Sequence, residues 1–341
     1  MAIALVDDAR FDGHRAMQMH PERPERLLAA RAGLKRAVAA DELLRVAARP
    51  ASDEEVLGVH TESHLRGLRD ALAAGWGHLD ADTFFSPASE EAAWLAAGGA
   101  VELCRAVVGG PVQRGLALLR PPGHHALASR AMGFCLLNNI AIAAADALAR
   151  GLSRVAIVDW DVHHGNGTQD IFYTDARVLF VSLHQSPLYP GTGRVEERGA
   201  GAGTGTTLNV PMPPGSGPAA YGAAFRELVL PALRAFDAEL VLVSSGFDAH
   251  ARDPLAQLEL DADCFGAMTT ALLEHVEEAG HGRLALFLEG GYDLDAVEES
   301  VCAVAKALEG ERYELADGEL RAAEARALEA AKVGLDLARG G

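Results

Sequence analysis

The chain has 341 residues and 35.8 kDa, of which 49% are hydrophobic and 23% charged; that balance supplies a large buried core and excludes wholesale disorder. Four cysteines (Cys104, Cys135, Cys264, Cys302) lie far apart with no C-x-x-C, which excludes a disulfide scaffold and a zinc ribbon and suits a reducing cytoplasm. The net charge is −18 and unevenly spread: residues 1–150 carry 16 basic and 18 acidic side chains, residues 151–341 carry 14 and 30, a field that disfavours nucleic acid and favours cationic or neutral substrates.

No apolar run reaches the length of a membrane span, and acids interrupt the short apolar stretch of Met1 to Arg10. Neither a membrane helix nor a signal peptide is expected. In chain order, the pattern predicts a strand at Ile3–Val6 and a helix at Pro24–Ala39, with Pro21 and Pro24 where a helix would begin. A helix at Glu90–Val108 leads to a strand at Leu116–Leu119. The helix Asn138–Ala149 is stopped by Gly151. Strands at Val155–Val158 and Val178–Leu183 follow, then the glycine-rich stretch Gly199 to Gly205. That stretch lacks the G-x-G-x-x-G spacing of a dinucleotide fingerprint and reads as a surface loop. The helix Ala219–Phe236, strand Leu240–Ser244, helix Asp261–Ala279, strand Leu284–Leu288 and helix Asp295–Leu308 complete the alternation. Gly318–Leu337 reads as a peripheral helix. Several strands are unbroken apolar runs, as in strands covered on both faces. The expectation is one α/β domain over residues 1–341, with a mostly parallel, doubly wound sheet flanked by helices.

Four of these strands end in polar clusters. Leu116–Leu119 runs into R-P-P-G-H-H (Arg120 to His125), and Val155–Val158 into D-W-D-V-H-H-G-N-G (Asp159 to Gly167). Leu240–Ser244 runs into S-G-F-D (Ser245 to Asp248), and Leu284–Leu288 into E-G-G-Y (Glu289 to Tyr292). In a parallel sheet all four lie on the edge where ligands bind, the C-terminal ends of the strands. Asp161 and His163, two apart in an extended segment, point the same way, and Asp248 can add a third donor. Three protein ligands of mixed oxygen and nitrogen type match a catalytic cation site that suits zinc and also fits ferrous iron. His124 and His125 offer general acid and base near neutral pH. Asp159 can orient one ring and Asn166 the other, and the carboxylate would raise imidazole basicity more than the neutral amide. Gly290 and Gly291 allow a tight turn that brings Tyr292 inward, where a phenol can stabilise a developing oxyanion. Together these parts describe metal-assisted amide hydrolysis. No G-x-S-x-G elbow is present, and Cys135 reads as a buried small residue rather than a nucleophile.

The motifs resemble the zinc-dependent histone deacetylase family, with acetylpolyamine amidohydrolases and acetoin-utilisation proteins as relatives. The resemblance runs from H-P-E-R-P-E-R-L (His20 to Leu27) to E-G-G-Y-D-L (Glu289 to Leu294), and Trp160 and Asn166 look like the class II branch. It implies the arginase/deacetylase-like fold and acyl-lysine deacylation, with Asp161, His163 and Asp248 binding zinc. It also implies that His124 and His125 are the acid–base pair and that Tyr292 polarises the carbonyl. Asp159 would support His124 and, with Asp161, His163, Ser182 and Leu183, hold a structural potassium ion. Phe172, Asp175, Val178 and Thr206 match a second potassium site. Gly133, Phe134 and Tyr189 match the walls of the family's acyl-lysine tunnel and Leu255 its rim, and Gly290 and Gly291 are expected to bind substrate with them. The polyamine-selective vertebrate relative has Glu where this chain has Leu255, and the long insertion of bacterial acetylpolyamine hydrolases is absent between Thr83 and Glu90. Both departures argue for acyl-lysine peptides or proteins over acetylated polyamines, which stay open, as does a catalytically silent acyl-lysine binding module. The implied partners are acylated substrates, with no nucleic acid and no membrane; no oligomeric partner is implied.

Overall fold

The computed structural model describes residues 2–338, with side chains through 332. Met1 and residues 339–341, part of the expected domain span, lie outside the described residues.

The strands are β1 (Ile3–Val6), β2 (Leu43–Arg45), β3 (Gly77–His78), β4 (Phe84–Phe85), β5 (Arg114–Ala117), β6 (Val155–Asp159), β7 (Val178–Gln185), β8 (Thr207–Met212), β9 (Leu240–Ser245) and β10 (Leu284–Leu288). The helices are α1 (Glu25–Ala37), α2 (Asp53–Leu57), α3 (Glu62–Leu72), α4 (Ser89–Gly109), α5 (Asn139–Ala149), α6 (Asn166–Phe172), α7 (Pro218–Ala224), α8 (Leu230–Phe236), α9 (Ala262–Glu278), α10 (Leu294–Glu309) and α11 (Ala322–Ala338). Among the described residues, eight strands form one sheet in the order β2-β1-β5-β10-β9-β6-β7-β8, and every pairing in it is parallel. β3 and β4 make a separate antiparallel hairpin.

The central strands are buried along their whole length, which is why their sequences are continuous apolar runs rather than alternating ones. From β6 the chain winds outward to β7 and β8, then returns to lay β9 against the other side of β6. The β6–β9 boundary is therefore a point where the winding direction reverses, and a crevice opens there beyond the carboxyl ends of the strands. The four strands with polar C-terminal clusters are neighbours in space: β5, β10, β9 and β6.

Several expectations need correction. α4 is long and apolar enough to cross a membrane by length and composition, but 72% of its apolar window is buried inside the fold. Its apolarity serves the core, where Trp94, Leu95, Val101 and Leu103 pack. The single helix expected at Ala219–Phe236 has a π-helical turn, Phe225–Val229, between α7 and α8. Pro231, at the start of α8, has no N–H to continue the regular ladder, and the wider turn accommodates it. β5 starts and ends two residues earlier than expected; Leu118 and Leu119 are buried connections to the site. β2 and β8 are edge strands that the apolar pattern missed. β2 is short and part-exposed, and β8 carries Asn209 and Pro211, residues tolerated at a sheet edge. α11 covers β8, burying Leu328 and Ala331. Gly199 to Gly205 is a mostly exposed loop with one short 3-10 turn.

Candidate active site

A cavity of about 210 Å³ opens over the four strand ends, lined by Asp82, Pro122, His124, His125, Gly133, Phe134, His163, Leu188, Tyr189, Leu255, Gly290 and Tyr292. Every residue expected to touch substrate except Gly291 lines it. Gly291 lies one step behind, with a left-handed φ of 111° that turns the chain toward Tyr292.

At its base, the donor atoms of Asp161, His163 and Asp248 lie within 4.8 Å of one another, all buried. His163 Nδ1 stands 3.1 Å from Asp161 Oδ1 and 3.2 Å from Asp248 Oδ2. The remaining carboxylate oxygens are held by backbone: Gly290 N–H donates to Asp161 Oδ2 at 2.8 Å, and Val162 N–H to Asp248 Oδ1 at 2.9 Å. Such outer contacts fix the orientation of metal-binding carboxylates. Two buried carboxylates and one imidazole nitrogen converging beneath an open cavity fit a divalent cation with room left for substrate.

The tandem histidines follow β5 and lie 4.0 Å apart between ring centroids, their planes tilted by 41°. His124 Nδ1 donates to Asp159 Oδ2 at 2.9 Å, and His125 Nδ1 to Asn166 Oδ1 at 2.8 Å. Both Nε2 atoms are thereby left for chemistry. Burial by itself lowers both rings, but Asp159 and Asp161 outweigh it at His124 and hold that imidazole well above its ordinary value. His125 has only a neutral partner; burial and then the His124 and His163 rings drive it well below. The expected difference in proton affinity is present.

The walls are set by a two-residue hairpin. Met132 and Cys135 exchange backbone hydrogen bonds, and between them Gly133 and Phe134 both take positive φ, 56° and 68°. This is the geometry of a type I′ turn. A Cβ at Gly133 would press to 2.5 Å of His125 Cδ2, so only glycine fits against that ring. Phe134 accepts an uncommon left-handed backbone and meets Tyr292 edge-on at 5.9 Å. Tyr189, from the long β7–β8 connection, stands perpendicular to His125 at 5.2 Å. Cys135 is buried against Gly133 O, and burial pushes its thiol well above the ordinary value.

For the inner potassium set, β6 and β7 place Asp159 and Ser182 as register partners, with Leu183 next along β7. Asp159 Oδ1 accepts from Asp161 N–H at 3.1 Å. For the outer set, Asp175 N–H donates to Phe172 O and Val178 N–H to Asp175 O, while Thr206 O accepts from Phe180 N–H.

Several residues around the site had no role in the sequence reading. Glu289 Oε2 accepts from Gly123 N–H at 2.6 Å and His124 N–H at 3.2 Å, holding the histidine turn against β10. Arg26, fully buried, donates to the carbonyls of Glu289 and Gly291 and lies 4.9 Å over the Tyr292 ring. Glu22 joins Arg26 to Arg120 in a closed ion cluster. Asp253 caps the Tyr292 turn. Glu22 sits in the bend before α1 and Arg26 in the first turn of that helix, so the pair is not one helical face and no local pattern announced it.

A parallel α/β sheet that brings two carboxylates, three imidazoles and a phenol to one cavity defines an amide-type hydrolase with a cation-binding base. The chain belongs to the histone deacetylase family: the histone deacetylase domain matches residues 20–308. It is 46% identical over 270 residues to a histone deacetylase-like amidohydrolase of Pseudomonas aeruginosa, covering 79% of this chain and 71% of that protein. It is 41% identical over 328 residues to the polyamine deacetylase HDAC10 of Homo sapiens, covering 91% of this chain and 48% of that one. The crystal structure of the HDA15 HD domain matches with a TM-score of 0.93 at 38% identity, over 99% of this chain and 96% of that chain. The protein is a deacetylase-class hydrolase.

Proposed function

We propose that this deacetylase removes acetyl-type acyl groups from the ε-amine of lysine in peptides or proteins, with zinc as its metal. The observation that carries this reading is one cavity lined by Phe134, Tyr189, Leu255 and His163, with the buried carboxylates of Asp161 and Asp248 gathered around His163. Two aromatic walls suit the apolar butylene chain of an acyl-lysine between its two polar ends. When bound at the three donors, the cation supplies Lewis acidity at the amide carbonyl and lowers the pKa of water; ferrous iron would do the same.

His125, held neutral, takes the proton of the attacking water at Nε2. His124, held protonated by Asp159, gives a proton from Nε2 to the departing amine. Tyr292 donates its hydroxyl to the carbonyl oxygen as charge builds there. Asp159 and Asn166 keep both Nδ1 atoms engaged throughout. A structural potassium ion is proposed at Asp159, Asp161, His163, Ser182 and Leu183, and a second at Phe172, Asp175, Val178 and Thr206. Four buried free thiols suit a reducing compartment, and the cytoplasm is proposed.

A second reading, hydrolysis of acetylated polyamines, is favoured by the relative that bears that activity in its name and by the acidic C-terminal half. The apolar Leu255 at the cavity favours the lysine reading. The test is turnover of acetyl-, longer acyl- and trifluoroacetyl-lysine peptides against acetylputrescine by zinc-loaded protein. Lysine peptides are expected to turn over best. Hydrolysis confined to acetylputrescine overturns the substrate, and tight acyl-peptide binding without hydrolysis overturns the catalytic reading in favour of a binding module.

A further inference from the structure

The turn that carries Tyr292 takes its rigidity from its surroundings rather than from its own backbone. Gly290 and Gly291 precede it, and two successive glycines leave the backbone more freedom than any other pair. The phenol must nonetheless sit within a fraction of an ångström of its working position. Arg26 restrains one side of the turn by donating to Gly291 O at 2.5 Å and to Glu289 O. The other side is held by one residue of the loop that follows β9. Asp253 Oδ2 accepts from Tyr292 N–H at 2.6 Å and from Asp293 N–H at 3.4 Å. Its other oxygen, Oδ1, accepts from Leu255 N–H at 3.0 Å, and Leu255 lines the cavity. The carboxylate is buried, with the residue 6% exposed, and among the described residues no cation is paired with it: Arg252 is turned to Asp293 and Glu299. A buried carboxylate held only by three backbone N–H groups is costly to keep, and what it secures is the joint between Leu255 and Tyr292.

We propose that Asp253 is a positioning residue for deacylation, bridging the Leu255 segment to the Tyr292 turn so that the phenol is held over the cavity. The inference rests on the role given to Tyr292 above. Replacing one oxygen of Asp253 by an amide sets N–H against N–H on one side of the bridge and releases either Leu255 or Tyr292.

A kinetic cycle over wild type, Tyr292→Phe, Asp253→Asn and the double variant tests it, in zinc-loaded protein with an acetyl-lysine peptide. Tyr292→Phe is expected to lower kcat by about 10²–10³-fold, as for loss of one oxyanion donor. Asp253→Asn is expected to lower kcat by roughly 10²-fold, as for an ångström-scale misplacement, with a much smaller change in KM. In the Tyr292→Phe background it should cost less than about threefold, because residues that act as a unit are not additive. Equal losses in both backgrounds, or unchanged kcat in the Asp253→Asn single variant, overturn the proposal. Unchanged kcat in Tyr292→Phe instead overturns the role of Tyr292 itself. If Asp253→Asn is recovered unfolded, Asp253→Ser, which keeps one acceptor oxygen without the bridge, goes through the same cycle with the same outcomes.

Discussion

At the scale of single residues, the site works by giving two adjacent imidazoles opposite surroundings. Both rings are buried, which disfavours charge on each. His124 has Asp159 at 2.9 Å to overcome that penalty, and His125 has only the amide oxygen of Asn166 at 2.8 Å. The choice between acid and base was open in the sequence, where both are simply histidines after P-P-G; burial and partners push the two rings in opposite directions, which is what the proposed assignment rests on. Asn166→Asp would put a carboxylate on His125 Nδ1, favouring the charged ring and raising its pKa. A base must be neutral to act, so the acid limb of the kcat/KM profile should move to higher pH by about one unit or more. A limb that stays in place would show that His125 is not the group whose deprotonation activates the enzyme.

At the scale of elements, the site is an assembly of strand ends packed so closely that glycine is the only residue that fits between them. A Cβ at Gly290 would overlap the carboxylate oxygens of Asp248 and Asp161, and its N–H already orients Asp161. Gly290→Ala should therefore fold, since β10 ends at Leu288, while cation affinity falls by about 10–100-fold, as when an outer-shell contact is lost. Zinc titration read by calorimetry, beside a melting curve, checks both halves; unchanged affinity would refute the crowding argument. This packing also explains what the sequence made legible. β6, β9 and β10 announce themselves because strands covered on both faces are apolar without interruption and their polar ends stand out. The short edges β2 and β8 carry no such signal. Arg26, Glu289 and Asp253 were silent for a different reason: their partners are Gly291, Gly123 and Tyr292, remote in the chain, and no local pattern encodes a contact made only after the sheet has formed. The proposed potassium sets rest on family likeness alone, since the likeness assigns them largely to backbone carbonyls, which any residue type can supply.

At the scale of the whole molecule, the same burial that tunes the site sets the response of stability to acid. His14 and His60 are buried and neutral, with burial pulling each down to about 3. Unfolded, they would charge near 6.5. The unfolded chain thus binds more protons, and their contribution is lost as pH falls from about 6.5 toward 3. Burial opposes charge on Glu22 as well, but Arg120 outweighs it and holds the carboxyl at about 2; that stabilisation is complete above about 4.5 and is lost as pH falls toward 2. Glu289 and Asp253 run the other way. Burial pushes both up to about 7, so their contribution is complete below about 4 and is lost as pH rises toward 7. Between about pH 6.5 and 4.5, these two carboxylates gain stability on acidification and oppose the loss at His14 and His60. Below about pH 4 the carboxylates have no more to give, and His14, His60 and Glu22 act together unopposed. The melting temperature of chelator-treated protein, in which no bound cation is released to confuse the reading, should drop steeply below about pH 4. A melting temperature that survives to pH 3 would mean that the buried imidazoles and the Glu22–Arg120 pair do not govern acid unfolding.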